Sequence, residues 1–168
     1  GGEGGNRGRG IETVFDPNIT PEEASSRRDF TFNSIAYNPL TGEMHDYFGG
    51  VDDIENGIMK ATSSQFGEDP VRGLRGMQFA ARLGVELDPE TAEMAKLIKD
   101  SILPKERISE EWMKLFTKGK HPSQGLQYLI DTEWIDRFPE LESLIDVPQD
   151  PEWHPEGDLW SHTKYSLD

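Results

Sequence analysis

The chain changes its hydrophobic period near Ser64, and this switch restricts it to folds that join a small β-containing part to a run of helices. Up to about Thr62, short β-like runs alternate with turns. The run IETVF alternates as a strand does, and FNSIAY and EMHDYF flank the turn NPLTG as the arms of a hairpin would. A short helix precedes the hairpin, with Thr20 as cap, Pro21 at its first position and Glu22 and Glu23 in its first turn. A second, VDDIEN, stops at Gly57 before the strand-like GIMKAT. After Ser64 the β signals vanish. Helices are predicted at about 70–83, 89–100, 109–118, 122–131 and 134–145, with Asp88 and Ser109 as caps, Pro89 at a first position, and Gly84 and Gly119 as stops. The Pro-rich DVPQDPEWHPEGD reads as a linker, and a further helix begins near Trp160. The fold class is therefore α+β: an α+β piece over 1–64, an all-helical piece over 65–146, and over 147–168 a linker with the opening of a third unit. Trp112, Trp134, Phe116 and Tyr128 stand at helical spacing among apolar neighbours and are expected in the core.

Charge and composition narrow the function classes. The net charge of −15 argues against broad non-specific binding to nucleic acid. From His121 onward there are 11 acidic and 2 basic residues, a net −9, which leaves −6 for everything before. The basic residues of the earlier part cluster at Arg27–Arg28 and at Arg72, Arg75 and Arg82, so a local basic site within an acidic protein is open. With no cysteine there is no disulfide framework and no thiolate metal site. No segment approaches the apolar length of a membrane span, and no membrane or protein partner is implied.

One helix poses a question. EDPVRGLRGMQFAARLG has Asp69 before Pro70 and an apolar stripe of Val71, Leu74, Met77 or Phe79, and Ala81. Yet Arg72 and Arg75 fall in its first two turns, where the helix dipole disfavours cations by about 0.3–1 kcal/mol each. Something anionic or hydrogen-bond-accepting must compensate. Glu68 and Asp69 are the plain candidates, and an ion pair inside RRD at 27–29 would be the equivalent plain reading there.

With RRDFTFNSIAYN, DYFGGVDDIENGIMK, EDPVRGLRGMQFAARLG and PKERISEEWMKLF in this order, the chain resembles bacterial tRNA nucleotidyltransferases, the class II CCA-adding enzymes that share a head domain with bacterial poly(A) polymerases. The resemblance runs from Gly4 over nearly the whole chain. It implies that 1–64 is the C-terminal part of a nucleotidyltransferase head (a small mixed sheet with helices), that 65–146 is an all-α neck and body binding nucleotide and RNA, and that WHPEGDLWSHT opens an all-α HD domain. It implies the template-independent addition of C and A to the tRNA 3′ end from CTP and ATP, in the cytoplasm.

The residue roles come with the resemblance. Arg28 is expected to contact the nucleotide, Asp29 to bond a ribose hydroxyl, Asp69 and Arg72 to read the base, and Arg75 to reach triphosphate oxygens. A carboxylate accepts from an exocyclic amino group and a guanidinium donates to an unprotonated ring nitrogen, an edge that cytosine and adenine share and guanine and uracil lack. Gln78 stands where the family often has a third arginine, and it is given no role. Two Mg²⁺ ions would assist attack of the 3′ hydroxyl on the α-phosphate, held by an Asp-x-Asp motif of the family that does not occur before RRD. Asp52 and Asp53 are adjacent on a helix and diverge, so the Mg²⁺ ligands are expected upstream of residue 1, no catalytic residue is assigned here, and the chain alone is expected to be inactive. His162 matches the first histidine of HD domains and is a candidate ligand for a divalent metal there; His154 reads as structural. Poly(A) polymerases, CC-only or A-only enzymes, and an HD phosphohydrolase with a degenerate RNA-binding head are the alternatives.

Overall fold

The computed structural model describes residues 18–141. IETVF, the linker, His154, Trp160 and His162 lie outside the described residues. Helix α1, Pro21–Ser26, opens on a full capping box in which Thr20 and Glu23 each bond the other's backbone N–H. A 3-10 turn at Thr31–Asn33 leads to an antiparallel hairpin of β1, Ala36–Tyr37, and β2, Met44–His45, with Ala36 opposite His45. Helix α2, Gly50–Glu55, precedes β3, Ile58–Met59. A second 3-10 turn, Ser64–Glu68, then feeds α3, Arg72–Leu83.

The sheet departs from expectation after α3. Glu86–Leu87 forms β4 and pairs in parallel with β3, Ile58 opposite Glu86 and Met59 opposite Leu87. A parallel neighbour must be reached by a crossover, and α3 is that crossover. Two residues show no period, so the strand left no trace in the pattern.

The remaining helices are α4, Pro89–Leu97, α5, Lys105–Lys118, and α6, Pro122–Asp131. Asp88 caps α4 as expected, its carboxylate accepting from Thr91 N at 3.0 Å, but α4 ends at Leu97 rather than 100. Helix α5 begins four residues before the predicted cap Ser109, because Pro104 sets the turn into Lys-Glu-Arg, all good helix formers, and Ser109 lies inside. The predicted helix 134–145 is replaced by a 3-10 turn, Trp134–Arg137, with helix resuming at 139. Pro139 disfavours a helical residue before it, and Phe138 is accordingly extended at φ −131°, ψ 71°.

Helix α3 is the centre of the packing, against α6 and α5 above all. Leu74, Met77 and Ala81 are buried with Phe30, Met59 and Phe66 from the earlier part, so one apolar cluster spans both sides of Ser64. Two glycines of α3 allow its closest contacts. A Cβ on Gly73 would lie 2.3 Å from the Trp134 ring, and one on Gly76 would lie 2.3 Å from the Tyr128 ring. Both aromatics use the slots fully: Trp134 Nε1 donates to Ala95 O, and the Tyr128 hydroxyl donates to Gly73 O. Trp134 and Tyr128 are core, as expected, and Trp112 is half-buried against Phe138. Phe116 is not core: it is 70% exposed, on the outer face of α5. Among the described residues no helix is long and apolar enough to cross a membrane.

Candidate nucleotide site

The entry into α3 does not follow the simple cap that its sequence suggests. Asp69 is extended, its Oδ1 accepts from Val71 N at 3.2 Å, and its carbonyl accepts from Arg72 N at 2.9 Å. The first regular residue is Arg72. Asp69 therefore turns the chain ahead of the helix instead of capping it, and its carboxylate stays half exposed.

The two arginines find acceptors that residue types could not announce. Arg72 Nη1 donates to Gln65 O at 2.9 Å and more distantly to Phe66 O at 3.5 Å, and its Nη2 donates to Arg27 O. Arg75 Nε donates to Asp29 Oδ2 at 2.7 Å and forms an ion pair with it. Bonds to charged groups contribute about 1.5–3 kcal/mol each, more than the dipole penalty of about 0.3–1 kcal/mol. The unfavourable placement is thus offset locally. Neither Glu68 nor Asp69 provides the partner.

Asp29 is buried, and its other oxygen is also in use: Oδ1 accepts from Phe30 N at 2.7 Å and Asn33 Nδ2 at 3.2 Å. Arg28 Nε donates to Asn33 O at 2.8 Å, so the 3-10 turn holds both members of the Arg28–Asp29 pair. The Arg75 guanidinium lies over the Phe79 ring at 5.0 Å. Burial, and secondarily the nearby Asp29 carboxylate, keep the Tyr128 phenol protonated well above its usual range.

The structure thus brings Arg28, Asp29, Arg72 and Arg75 to one corner, where the end of α1 meets the start of α3. The neighbours that bond into this corner are segment 27–33 and the Ser64–Glu68 turn. Asp69 stands at its edge, where its nearest cation is Arg107 of α5 at 3.7 Å. The Asp69 and Arg72 side chains do not pair with each other. Sequence reasoning missed Arg107 and Asn33 as neighbours; the only signal was that each belongs to one of the four motifs.

Gln78 is fully buried. Its Nε2 donates to Glu111 Oε1 at 3.1 Å, and its Oε1 accepts from Arg82 Nη1 at 3.1 Å, which places it on the α5 side of the helix. Among the described residues no group of three or more His, Cys, Asp or Glu side chains is arranged to hold a metal ion. Asp53 is committed elsewhere, accepting from the Thr31 hydroxyl at 2.6 Å. A cavity of about 360 Å³ lies between α3, β4 and α6, lined in part by Glu86, Gln124 and Asp131, and contains none of the nucleotide candidates.

Residues 7–60 match the poly A polymerase head domain, and residues 84–145 match the probable RNA and SrmB-binding site of polymerase A. The Multifunctional CCA protein of Xanthomonas campestris pv. campestris is 39% identical over 95% of this chain, which covers 41% of that protein. The Multifunctional CCA protein of Vibrio parahaemolyticus is 38% identical over 92% of the chain and 39% of its own length. The chain therefore spans about two fifths of the curated relatives it matches. Among solved structures, the Thermotoga maritima CCA-adding enzyme complexed with tRNA superposes with a TM-score of 0.62 at 26% identity, over 71% of this chain and 31% of that one. The Bacillus stearothermophilus CCA-adding enzyme in complex with CTP gives 0.59 at 33% identity, over 68% and 30%.

Proposed function

We propose that this chain, whose residues 7–60 match the poly A polymerase head domain, is the nucleotide-selecting section of an enzyme that adds C and A to the 3′ end of tRNA from CTP and ATP, without a template and in the cytoplasm. The observation that carries this reading is the joining of two motifs far apart in sequence: Arg75 to the Asp29 carboxylate, and Arg72 to the backbone of Arg27. The proposed division is that of the motifs, with residues 1–64 in the head, 65–146 in the neck and body, and 147–168 leading into an HD domain where His162 is the candidate metal ligand.

In this reading Asp69 accepts from the exocyclic amino group of cytosine or adenine, and Arg72 donates to the ring nitrogen beside it. The Arg72 bonds use Nη1 and Nη2, and a guanidinium has five N–H donors, so Nε remains in hand. GTP and UTP would set a carbonyl against Asp69 and an N–H against Arg72, at roughly 1–3 kcal/mol per mismatched group. The base edge alone then rejects two of the four nucleotides. Arg28 and Arg75 present positive charge to the triphosphate, and the remaining acceptor capacity of Asp29 faces the ribose. Asp53 is bonded to Thr31, and among the described residues no group of three or more acidic or histidine side chains is arranged to hold a metal ion. The Mg²⁺ ligands are accordingly proposed in the portion of the relatives that this chain does not span.

The test is made in the intact enzyme carrying this chain, with tRNA lacking its 3′ CCA, Mg²⁺ and each nucleotide in turn. The parent is expected to add C and A and to reject G and U. Asp69→Ala is expected to cut CTP and ATP incorporation by about a hundredfold or more, since it removes the acceptor for the exocyclic amino group that both bases carry. Unchanged kinetics would refute the base-reading pair. Repeated addition of A alone by the parent would identify a poly(A) polymerase instead.

A further inference from the structure

We propose that Asp53 is a positioning residue for the nucleotide site, which sets ribose selectivity by fixing the turn that carries Arg28 and Asp29; this rests on the nucleotidyltransferase reading above. Asp53 Oδ2 accepts from the Thr31 hydroxyl at 2.6 Å, a charge-assisted bond roughly twice as strong as a neutral one. Thr31 is 2% exposed, so its hydroxyl has little access to water should the bond be lost.

Helix α2 is itself held firmly against that turn. The Asp46 carboxylate accepts from Gly50 N at 2.7 Å and Val51 N at 2.9 Å, which fixes the start of the helix. Gly50 meets the turn directly: a Cβ there would lie 2.2 Å from the Thr31 carbonyl oxygen. Contact by Gly50 and a hydrogen bond by Asp53, about one helical turn later, therefore grip the same residue from one side. On the other side Thr31 N donates to Lys60 O at 2.9 Å.

What the turn holds is the site. Thr31–Asn33 ends in the residue whose side-chain amide donates to Asp29 and whose carbonyl accepts from Arg28. A small rotation of the turn would release both contacts and carry Asp29 away from Arg75. The hydrogen bond of Asp53 to Thr31 is its link to the turn that holds Arg28 and Asp29. Asp53, the second acid of GGVDD, thus serves geometry by holding the turn.

The experiment compares CTP with dCTP as substrates for the intact enzyme bearing Asp53→Ala, Asp53→Asn, Thr31→Val, or Asp53→Ala with Thr31→Val. Asp53→Ala is expected to lower the CTP-over-dCTP preference and raise KM for CTP, each by about tenfold, with kcat changed much less. Thr31→Val should reproduce this, and the double variant should be no worse than either single one, because all three break the same bond. Asp53→Asn keeps an acceptor oxygen and should recover most of the preference. An unaltered CTP-over-dCTP preference in Asp53→Ala, even with a lowered melting temperature, would overturn the proposal and leave the nucleotidyltransferase reading standing. So would loss of kcat at constant KM in Asp53→Asn, which is the signature of a metal ligand. A parent enzyme that adds neither CTP nor ATP would remove the reading on which the proposal rests, and the proposal with it.

Discussion

Helix α3 is held by polar atoms at its first turn and by apolar packing along its middle. At Arg72 and Arg75 the partners are backbone carbonyls and a carboxylate, reached across long stretches of sequence. At Gly73, Leu74, Gly76 and Met77 the partners are the rings and side chains of a continuous core. The two attachments lie on the same helix yet respond to different changes. Apolar contacts set where the helix sits, and polar ones set how the site is presented. On the proposed function, a lost methyl group is expected to be felt mainly as stability, and a lost acceptor at the first turn as altered recognition as well.

Substitutions can break this contrast in graded steps. The largest effect is expected at Gly76→Leu, because a side chain there would have to occupy the space of the Tyr128 ring. Overpacking of this kind costs about 3 kcal/mol or more, and thermal unfolding should show a collapse in melting temperature. Asp29→Ala comes next. It strands Arg75 and unfixes the turn, for about 2 kcal/mol in stability, and it should also raise KM for both nucleotides. Were stability alone to fall, the division between the two attachments of α3 would fail. Glu111→Ala removes the buried acceptor of Gln78, for roughly 1–3 kcal/mol of stability, with base selectivity kept. Arg107→Ala should cost under about 1 kcal/mol, since its pair with Asp69 is half exposed and 3.7 Å long. Phe116→Ser, the mildest, should change stability by less than about 0.5 kcal/mol in chemical denaturation.

That last residue shows where sequence reading stopped. Trp112, Trp134, Phe116 and Tyr128 look alike in their spacing, but helical period fixes only a face, and the outer edge of that face on α5 is uncovered among the described residues. Local chemistry was readable where it acts within a few residues: the Thr20 capping box, the Asp88 cap and the NPLTG hairpin turn all stand as expected. Start signals misled where two competed, as at Pro104 and Ser109. The strand at Glu86–Leu87 was invisible because its pairing partner lies far back in the chain. At the site, the need for an acceptor near Arg72 and Arg75 was plain from the helix dipole. The identity of that acceptor was not, since backbone carbonyls carry no residue-type signal and Asp29 is 46 positions away.

The parallel pairing of β3 with β4 has a consequence for the order of assembly. Ile58 and its partner Glu86 are separated by the whole of α3, so the small sheet closes only after that helix has formed and folded back. Such long-range closure is slow relative to helix formation. Asp29 is synthesised 46 positions ahead of Arg75, and the strand that secures the crossover comes later still. The corner that joins them therefore draws together segments of the chain that are made at well-separated times.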